Sequence, residues 1–162
     1  MERAEKLVLI HDLQDRLKAL ICAAVQVKNI GDQISGWEPI MGRCHQNVDR
    51  WVSKHPDDRA TRGWIRTAYM ALPGFIRLMS HSVVETPAGT LLDVTLPVRE
   101  CHHQFIRHPG SDAEFLELVA DNGCPWIDIP LDEPDLGLAE LADLVRQMEN
   151  YTTWGIHEEF DF

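Results

Sequence analysis

The chain has 162 residues, of which 44% are hydrophobic and 25% are charged, and this is the composition of an ordinary globular protein. A chain of this length can form one hydrophobic core without crosslinks, so we expect a single domain over residues 1–162. There are 15 basic and 26 acidic residues, and the formal charge of −11 disfavours binding to nucleic acid or to anionic membranes. We therefore expect neither of these as a partner.

The N-terminal segment interrupts its apolar positions with charges and lacks a small-residue cleavage site. It predicts neither a signal peptide nor a membrane anchor. The four cysteines are widely spaced and form no C-x-x-C pair: Cys22, Cys44, Cys101 and Cys124. Because a domain of this size needs no disulfide framework, this pattern indicates reduced thiols and a cytoplasmic location.

Hydrophobic periodicity predicts two helices in the first third of the chain. Apolar residues recur every three or four positions over 4–28, which indicates an N-terminal helix within residues 1–30, ended by Gly31. The stretch GDQISGWEPIMGR follows, and its three glycines and one proline predict a loop. A second helix is expected to begin at Cys44 and to stop near His55, because a residue that precedes proline disfavours helical backbone.

Three strands are predicted after the second helix. The segments 63–72 and 75–85 are rich in aromatic and β-branched residues, and a TPAG turn leads into a third strand over 91–97. Strands that follow one another through short turns pair antiparallel. The order of elements predicts an α+β fold, with helices packed on a small antiparallel sheet.

Residues 98–162 predict a C-terminal helical region. It is expected to start with a loop and to continue with a short helix capped by Ser111 or Asp112 and ended by Gly123. Asp135 is expected to cap a final helix with leucines on its buried side.

Cys44 is the candidate nucleophile of the chain. A thiol becomes reactive when its thiolate is favoured, either by a helix N-terminus or by an adjacent imidazole. Cys44 opens the second predicted helix directly after Gly42 and Arg43, so the first-turn amides and the helix dipole favour negative charge on its sulfur.

His81 and Asp93 are the candidate base and its orienting carboxylate. His81 shares one face of its predicted strand with Val83 and Glu85, because side chains alternate along a strand. Asp93 stands in the next strand, and a hairpin through the TPAG turn brings its carboxylate onto the same face. A carboxylate in this position holds the imidazole in the tautomer that accepts a thiol proton.

The chain resembles the papain-like thiol enzymes, and most nearly their transglutaminase-like branch. The resemblance covers residues 36–97 and rests on Gly42-Arg43-Cys44, Arg62-Gly63-Trp64, His81-Ser82-Val83-Val84-Glu85 and Leu91-Leu92-Asp93-Val94-Thr95. It implies a catalytic triad of Cys44, His81 and Asp93 and a Cys44 thioester, without a metal or another cofactor. The corresponding activities are those of a peptidase, an isopeptidase or a glutamine deamidase, with a protein or peptide as substrate.

Two features of that family need candidates here. Members often carry an aromatic residue after the histidine, whereas this chain has Ser82 and Val83. An oxyanion donor is expected upstream of the cysteine, and side-chain N–H groups of Gln33 or Trp37 are the candidates. Asn47, almost one helical turn beyond Cys44, is expected either to line the site or to cap a neighbouring loop.

An alternative hypothesis assigns no catalysis to the chain. Thiols and imidazoles that zinc prefers recur along the sequence, at Cys44, His45, His81, Cys101, His102, His103 and His108. Only His103 and His108 show the close spacing typical of structural zinc sites. In this hypothesis the protein is a regulatory or interaction module that binds zinc. Cys22 is predicted to lie in the core on the inner side of the first helix.

Overall fold

A computed structural model describes residues 3–67, 73–100, 103–122 and 126–131. Its helices are α1 (Arg3–Leu20), α2 (Cys44–Val52) and α3 (Asp112–Asn122). Its strands are β1 (Val25–Gln26), β2 (Lys28–Asn29), β3 (Arg59–Thr67), β4 (Phe75–Glu85), β5 (Leu91–Asp93), β6 (Gln104–Arg107) and β7 (Trp126–Pro130). Helices and a sheet occur together, as the α+β prediction requires. None of the described helices is both long enough and apolar enough to cross a membrane.

Within the described residues, all the strands belong to one sheet. Its order is β1-β6-β3-β4-β5-β2, and β7 adds to β4. The centre is a long antiparallel pair of β3 and β4. The pairing is continuous from Arg59 opposite Glu85 to Thr67 opposite Arg77. β1 and β2 stand at opposite ends of the order, yet they belong to one short stretch of chain, 25–29. The sheet therefore curls until its two ends meet.

The sheet is mixed, so the prediction of an antiparallel sheet is wrong in one pairing. β2 runs parallel to β5, with Lys28 opposite Leu92 and Asn29 opposite Asp93. The two strands are far apart in the chain and no hairpin connects them. The prediction of antiparallel pairing assumed short turns between strands, so it does not apply to this pair. The predicted strand over 91–97 is also shorter, since β5 ends at Asp93.

The first helix is shorter than its periodicity predicts. α1 ends at Leu20, a short 3₁₀ turn follows, and at Ala24 the backbone becomes extended, with φ −59° and ψ 138°. Residues 25–29 then pair with the sheet, and this tertiary pairing overrides the helical pattern. Cys22 lies in the 3₁₀ turn and is exposed, so its prediction as a core residue is wrong.

The region beyond residue 98 contributes strands as well as a helix. β6 was predicted as loop, and β7 within a helical region, yet both complete the sheet beside β3 and β4. α3 is confirmed, and its cap is reciprocal: Ser111 Oγ accepts from the Glu114 amide, while Glu114 Oε2 accepts from the Ser111 amide at 2.6 Å. The final helix predicted after Asp135 lies outside the described residues.

Apolar side chains fill both faces of the curled sheet. On the outer face, Leu17 of α1 and Phe115 of α3 are fully buried in one cluster with Trp64 and Leu78. The inner face holds a second cluster, which includes Val27, Ile65, Val83, Leu91 and Phe105. Polar residues share that inner face, so the interior of the curl is a buried, low-dielectric setting for ionisable groups.

One side of β4 is open in its middle. β3 covers one edge over most of its length, whereas the other edge pairs with β7 at Phe75–Met79 and with β5 only at Val84 and Glu85. Among the described residues, no strand pairs with this edge over Ser80–Val83. His81 lies in that interval, and α2 packs on the neighbouring part of the sheet through Val48.

Candidate active site

Cys44 is the first residue of α2, as predicted. The four residues before it form a turn, in which the Arg43 amide donates to the Ile40 carbonyl at 3.2 Å. Gly42 occupies the third position of this turn with φ 75°, a backbone conformation that favours glycine. The first amides of a helix have no intrahelical acceptor, so Cys44 stands at the end of α2 that carries free N–H groups and the positive end of the helix dipole.

Asn47 fixes that turn to the helix. Its Oδ1 accepts from the Ile40 amide at 3.2 Å, and its Nδ2 donates to the Ile40 carbonyl at 2.8 Å. The same Nδ2 donates to Thr95 Oγ1 at 3.1 Å, two residues beyond Asp93. Both ends of the Asn47 side-chain amide are hydrogen-bonded, and only 3% of the residue is exposed. Of the two predicted positions, lining the site or capping a neighbouring loop, these contacts correspond to the loop cap.

His81 and Asp93 meet on the inner face of the sheet. His81 Nε2 lies 2.6 Å from Asp93 Oδ2, and their side chains are 7% and 3% exposed. The other carboxylate oxygen, Oδ1, accepts from the amides of Thr95 at 2.8 Å and Leu96 at 3.0 Å. Burial by itself raises the pKa of Asp93, but hydrogen bonds and the charge of His81 outweigh it and lower the pKa. The carboxylate is therefore ionised and oriented.

The thiol of Cys44 interacts with His81. Burial by itself raises the pKa of Cys44, but hydrogen bonds with His45 and His81, and their charges, lower it to about 6. Burial lowers the pKa of His81, but hydrogen bonds with Asp93 and Cys44, and their charges, raise it to about 10. Between these values the proton resides on the imidazole, and Cys44 and His81 form a thiolate–imidazolium pair.

A second histidine contacts the same sulfur, and sequence analysis did not assign it to the site. His45 Nδ1 lies 3.8 Å from Cys44 Sγ and 2.6 Å from Ser82 Oγ. Ser82 is fully buried and accepts from Arg62 Nη1 at 2.8 Å, and Arg62 also pairs with Asp49. Side-chain alternation places Arg62 and Ser82 each on one face of its strand, but their pairing across the strands and their position beneath His45 are visible only in the structure.

The two candidate oxyanion donors differ in their surroundings. The Trp37 ring packs against the cluster around Val48, with the Arg50 guanidinium 4.8 Å from its centre. Trp37 Nε1 is buried and has no hydrogen-bond partner among the described residues. Gln33, by contrast, is exposed at the end of a 3₁₀ turn. Both assignments stay predictions, and Trp37 has the donor that a ligand would satisfy.

Of the residues named in the zinc hypothesis, Cys44, His45 and His81 lie together at the candidate active site. In the part of the chain that the structure describes, no group of three or more His, Cys, Asp or Glu side chains is arranged to hold a metal ion. His108 Nδ1 accepts from Trp64 Nε1 at 3.3 Å, and its ring packs on Phe115. Burial lowers the pKa of His103, and the charge of His81 lowers it further. Cys101 and His102 lie outside the described residues.

Comparisons with protein-family models, with curated proteins and with solved structures find no match for this chain. The site is therefore interpreted from its own geometry and chemistry.

Proposed function

We propose that the protein is a cysteine-dependent amide hydrolase or acyltransferase of the papain-like, transglutaminase-like kind. The observation that carries the proposal is the convergence of Cys44, at the start of α2, with a His81 imidazole hydrogen-bonded at 2.6 Å to the buried Asp93. A nucleophile, an acid–base group and an orienting group in this relation are what covalent acyl transfer requires.

The proposed reaction begins with the Cys44 thiolate. Its sulfur attacks the carbonyl carbon of a carboxamide, and the C–N bond breaks as His81 gives its Nδ1 proton to the leaving amine. The product of this half-reaction is a thioester on Cys44. Water then attacks the thioester while neutral His81 takes up its proton, which releases the carboxylic acid and restores the ion pair. An amine in place of water completes transfer instead of hydrolysis.

The developing oxyanion needs hydrogen-bond donors. The backbone amide of Cys44 lies at the free N-terminus of α2, and a side-chain N–H from the preceding loop is the proposed second donor. Trp37 is favoured over Gln33 for this role, because its Nε1 is buried without a partner among the described residues. The proposed substrate is a protein or peptide, and the acyl group is a main-chain, isopeptide or glutamine amide.

Intact-mass analysis with a small vinyl sulfone tests the proposal. At pH 7 and limiting reagent, wild-type protein is expected to gain one adduct, mapped to Cys44, before the exposed Cys22 reacts. Cys44→Ala should lose this adduct, His81→Ala should form it at least tenfold more slowly, and Cys22→Ala is the matched control that keeps it. Preferential labelling of Cys22 in the wild type would refute the proposal and favour a non-catalytic binding module.

A further inference from the structure

Two large apolar side chains are exposed immediately before the nucleophile. Ile40 is 56% exposed and Met41 is 59% exposed, and only Gly42 and Arg43 separate them from Cys44. Single exposed apolar residues are ordinary on protein surfaces. Here two such residues are adjacent, and at most about 15 Å of extended chain separates them from a reactive thiol. This position beside the thiol distinguishes them from isolated exposed residues.

The backbone that carries this pair is held in place. The turn Ile40–Arg43 closes through its own hydrogen bond of 3.2 Å, and the side chain of Asn47 bonds both the amide and the carbonyl of Ile40. Asn47 is in turn tied to Thr95, on the segment that follows Asp93. The turn, the first turn of α2 and the end of β5 are thus joined by one buried side chain.

A fixed turn changes what exposed side chains can do. Ordering a flexible loop on binding costs conformational free energy, and a backbone that is already fixed avoids most of this cost. Burying a large apolar side chain against a matching one favours binding, because it removes apolar surface from water. Ile40 and Met41 can therefore contribute binding energy at a defined place, four and three residues before the thiol.

We propose that Ile40 and Met41 are specificity residues that bind an apolar side chain of a peptide substrate next to the reacting carbonyl. The inference rests on the proposed function and names its substrate class. Arg43 is exposed between this pair and Cys44, and Glu38 is exposed two residues before Ile40, so the two apolar side chains lie between charges of opposite sign. The occupant is a peptide segment with a leucine-like side chain, rather than an acidic or hydroxylated one.

Two dipeptide vinyl sulfones test this inference, one with leucine and one with asparagine beside the electrophilic carbon. Wild-type protein should react at Cys44 at least tenfold faster with the leucine probe, the selectivity that one apolar contact typically supplies. In Ile40→Ser/Met41→Ser the ratio of the two rates should fall at least fivefold. Leu116→Ser, which removes a 40% exposed apolar residue from α3, is the matched control and should keep the ratio.

Iodoacetamide separates this inference from the proposed function. The double variant should keep the wild-type rate of Cys44 alkylation by this small reagent, which needs no side-chain contact. If the double variant loses that rate, Met41→Gln, which preserves side-chain length, is measured in its place, with a lower leucine-to-asparagine ratio expected. An unchanged ratio overturns the specificity role while normal alkylation leaves the enzyme proposal standing. Failure of wild-type Cys44 to react with iodoacetamide overturns both.

Discussion

His81 Nε2 lies 2.6 Å from Asp93 Oδ2, and this contact joins strands β4 and β5 through two side chains that are almost completely buried. Because Nε2 is engaged by the carboxylate, Nδ1 is the ring nitrogen left for a hydrogen bond with the thiol. The buried carboxylate stabilises positive charge on the ring, and the ring stabilises negative charge on Cys44. Hydrogen bonds with His45 and His81 lower the pKa of the thiol, and Asp93 contributes through the positive charge that it stabilises on His81.

The pH dependence of Cys44 alkylation follows from this chain of contacts. The rate with iodoacetamide should rise as the pH passes about 6, the pKa of the thiol. In His81→Gln the midpoint should move toward 9.0, the ordinary value for the thiol, and the rate at pH 7 should fall roughly tenfold or more. Peptide mapping by mass spectrometry follows Cys44 and, as an internal control, Cys22, whose rate should not change. An unshifted midpoint would refute the role of His81.

Amide turnover should also have an upper pH limit. Departure of the amine needs a protonated His81, and the pKa of His81 is about 10. Any amide substrate that the protein hydrolyses should therefore show a rate that falls as the pH rises through that value, while alkylation of the thiolate does not fall. The two pH profiles, measured on one preparation, separate the acid role of His81 from its effect on the thiol.

Asp93→Asn should destabilise the protein and reduce thiol reactivity together. The substitution removes one charge from a buried pair and deprives His81 of its carboxylate counterion, at a cost of about 3–5 kcal/mol. Without the carboxylate, burial lowers the pKa of His81, so the thiol loses its imidazolium partner. Urea denaturation and the alkylation profile measure both effects. Asp57→Asn, at an exposed turn, is the control and should change neither.

Ser82→Ala tests the hydrogen bonds that join His45, Ser82 and Arg62. Ser80, on the same face of β4, provides the comparison. Loss of the hydroxyl leaves buried Arg62 with an unpaired donor and frees His45, so unfolding should become easier by about 1–3 kcal/mol. The alkylation midpoint of Cys44 should rise. Ser80→Ala is the matched control: its hydroxyl is buried without a partner among the described residues, so its removal should be neutral or stabilising. Equal losses in the two variants would contradict this account.

Gly63→Ala should damage the fold beside His81. Gly63 stands opposite His81 in the β3–β4 pair, and an added Cβ would lie 2.2 Å from the Ile106 carbonyl oxygen and 2.5 Å from Phe105 Cζ. Because backbone must move to relieve this clash, we expect a loss of about 3 kcal/mol or more in urea denaturation. Gly36→Ala is the comparison. Its Cβ meets nothing within 4 Å and its φ is 74°, so it should lose only about 1 kcal/mol.

The ion pairs of Glu85 in this sheet should make the stability of the protein depend on pH in the acid range. Hydrogen bonds from Arg59 and Arg107 lower its pKa from 4.5 to about 2. A carboxyl whose folded pKa is depressed stabilises the fold above its unfolded pKa, and that contribution is lost as the pH falls through the folded value. Between pH 4.5 and 2, wild type should therefore lose more stability than Glu85→Gln. Parallel urea curves at pH 5 and pH 3 measure the difference, and equal pH slopes would contradict it.

Local sequence determined the parts of the site that depend on neighbouring residues. Gly42 predicted that the loop ends just before Cys44, because glycine readily adopts the left-handed backbone of a turn, and its φ is indeed 75°. The helix could therefore begin at Cys44. Alternation placed His81 on the face of Val83 and Glu85, and the TPAG turn returned Asp93 to it. The structure agrees with each of these, since turn chemistry and side-chain periodicity act over a few residues.

Only tertiary structure decided the pairings between distant segments. Residues 25–29 continue a helical pattern in the sequence, but they pair with β5 and β6 and so close the sheet. His45 turns toward Ser82 because strand β4 lies beneath α2, a proximity that no local spacing encodes. Hydrogen bonds and burial between remote segments outweigh propensities of a fraction of a kcal/mol per residue. The sequence thus determined which groups are candidates for the proposed chemistry, and the tertiary structure decided that His81 and Asp93 meet in the buried interior of the curled sheet.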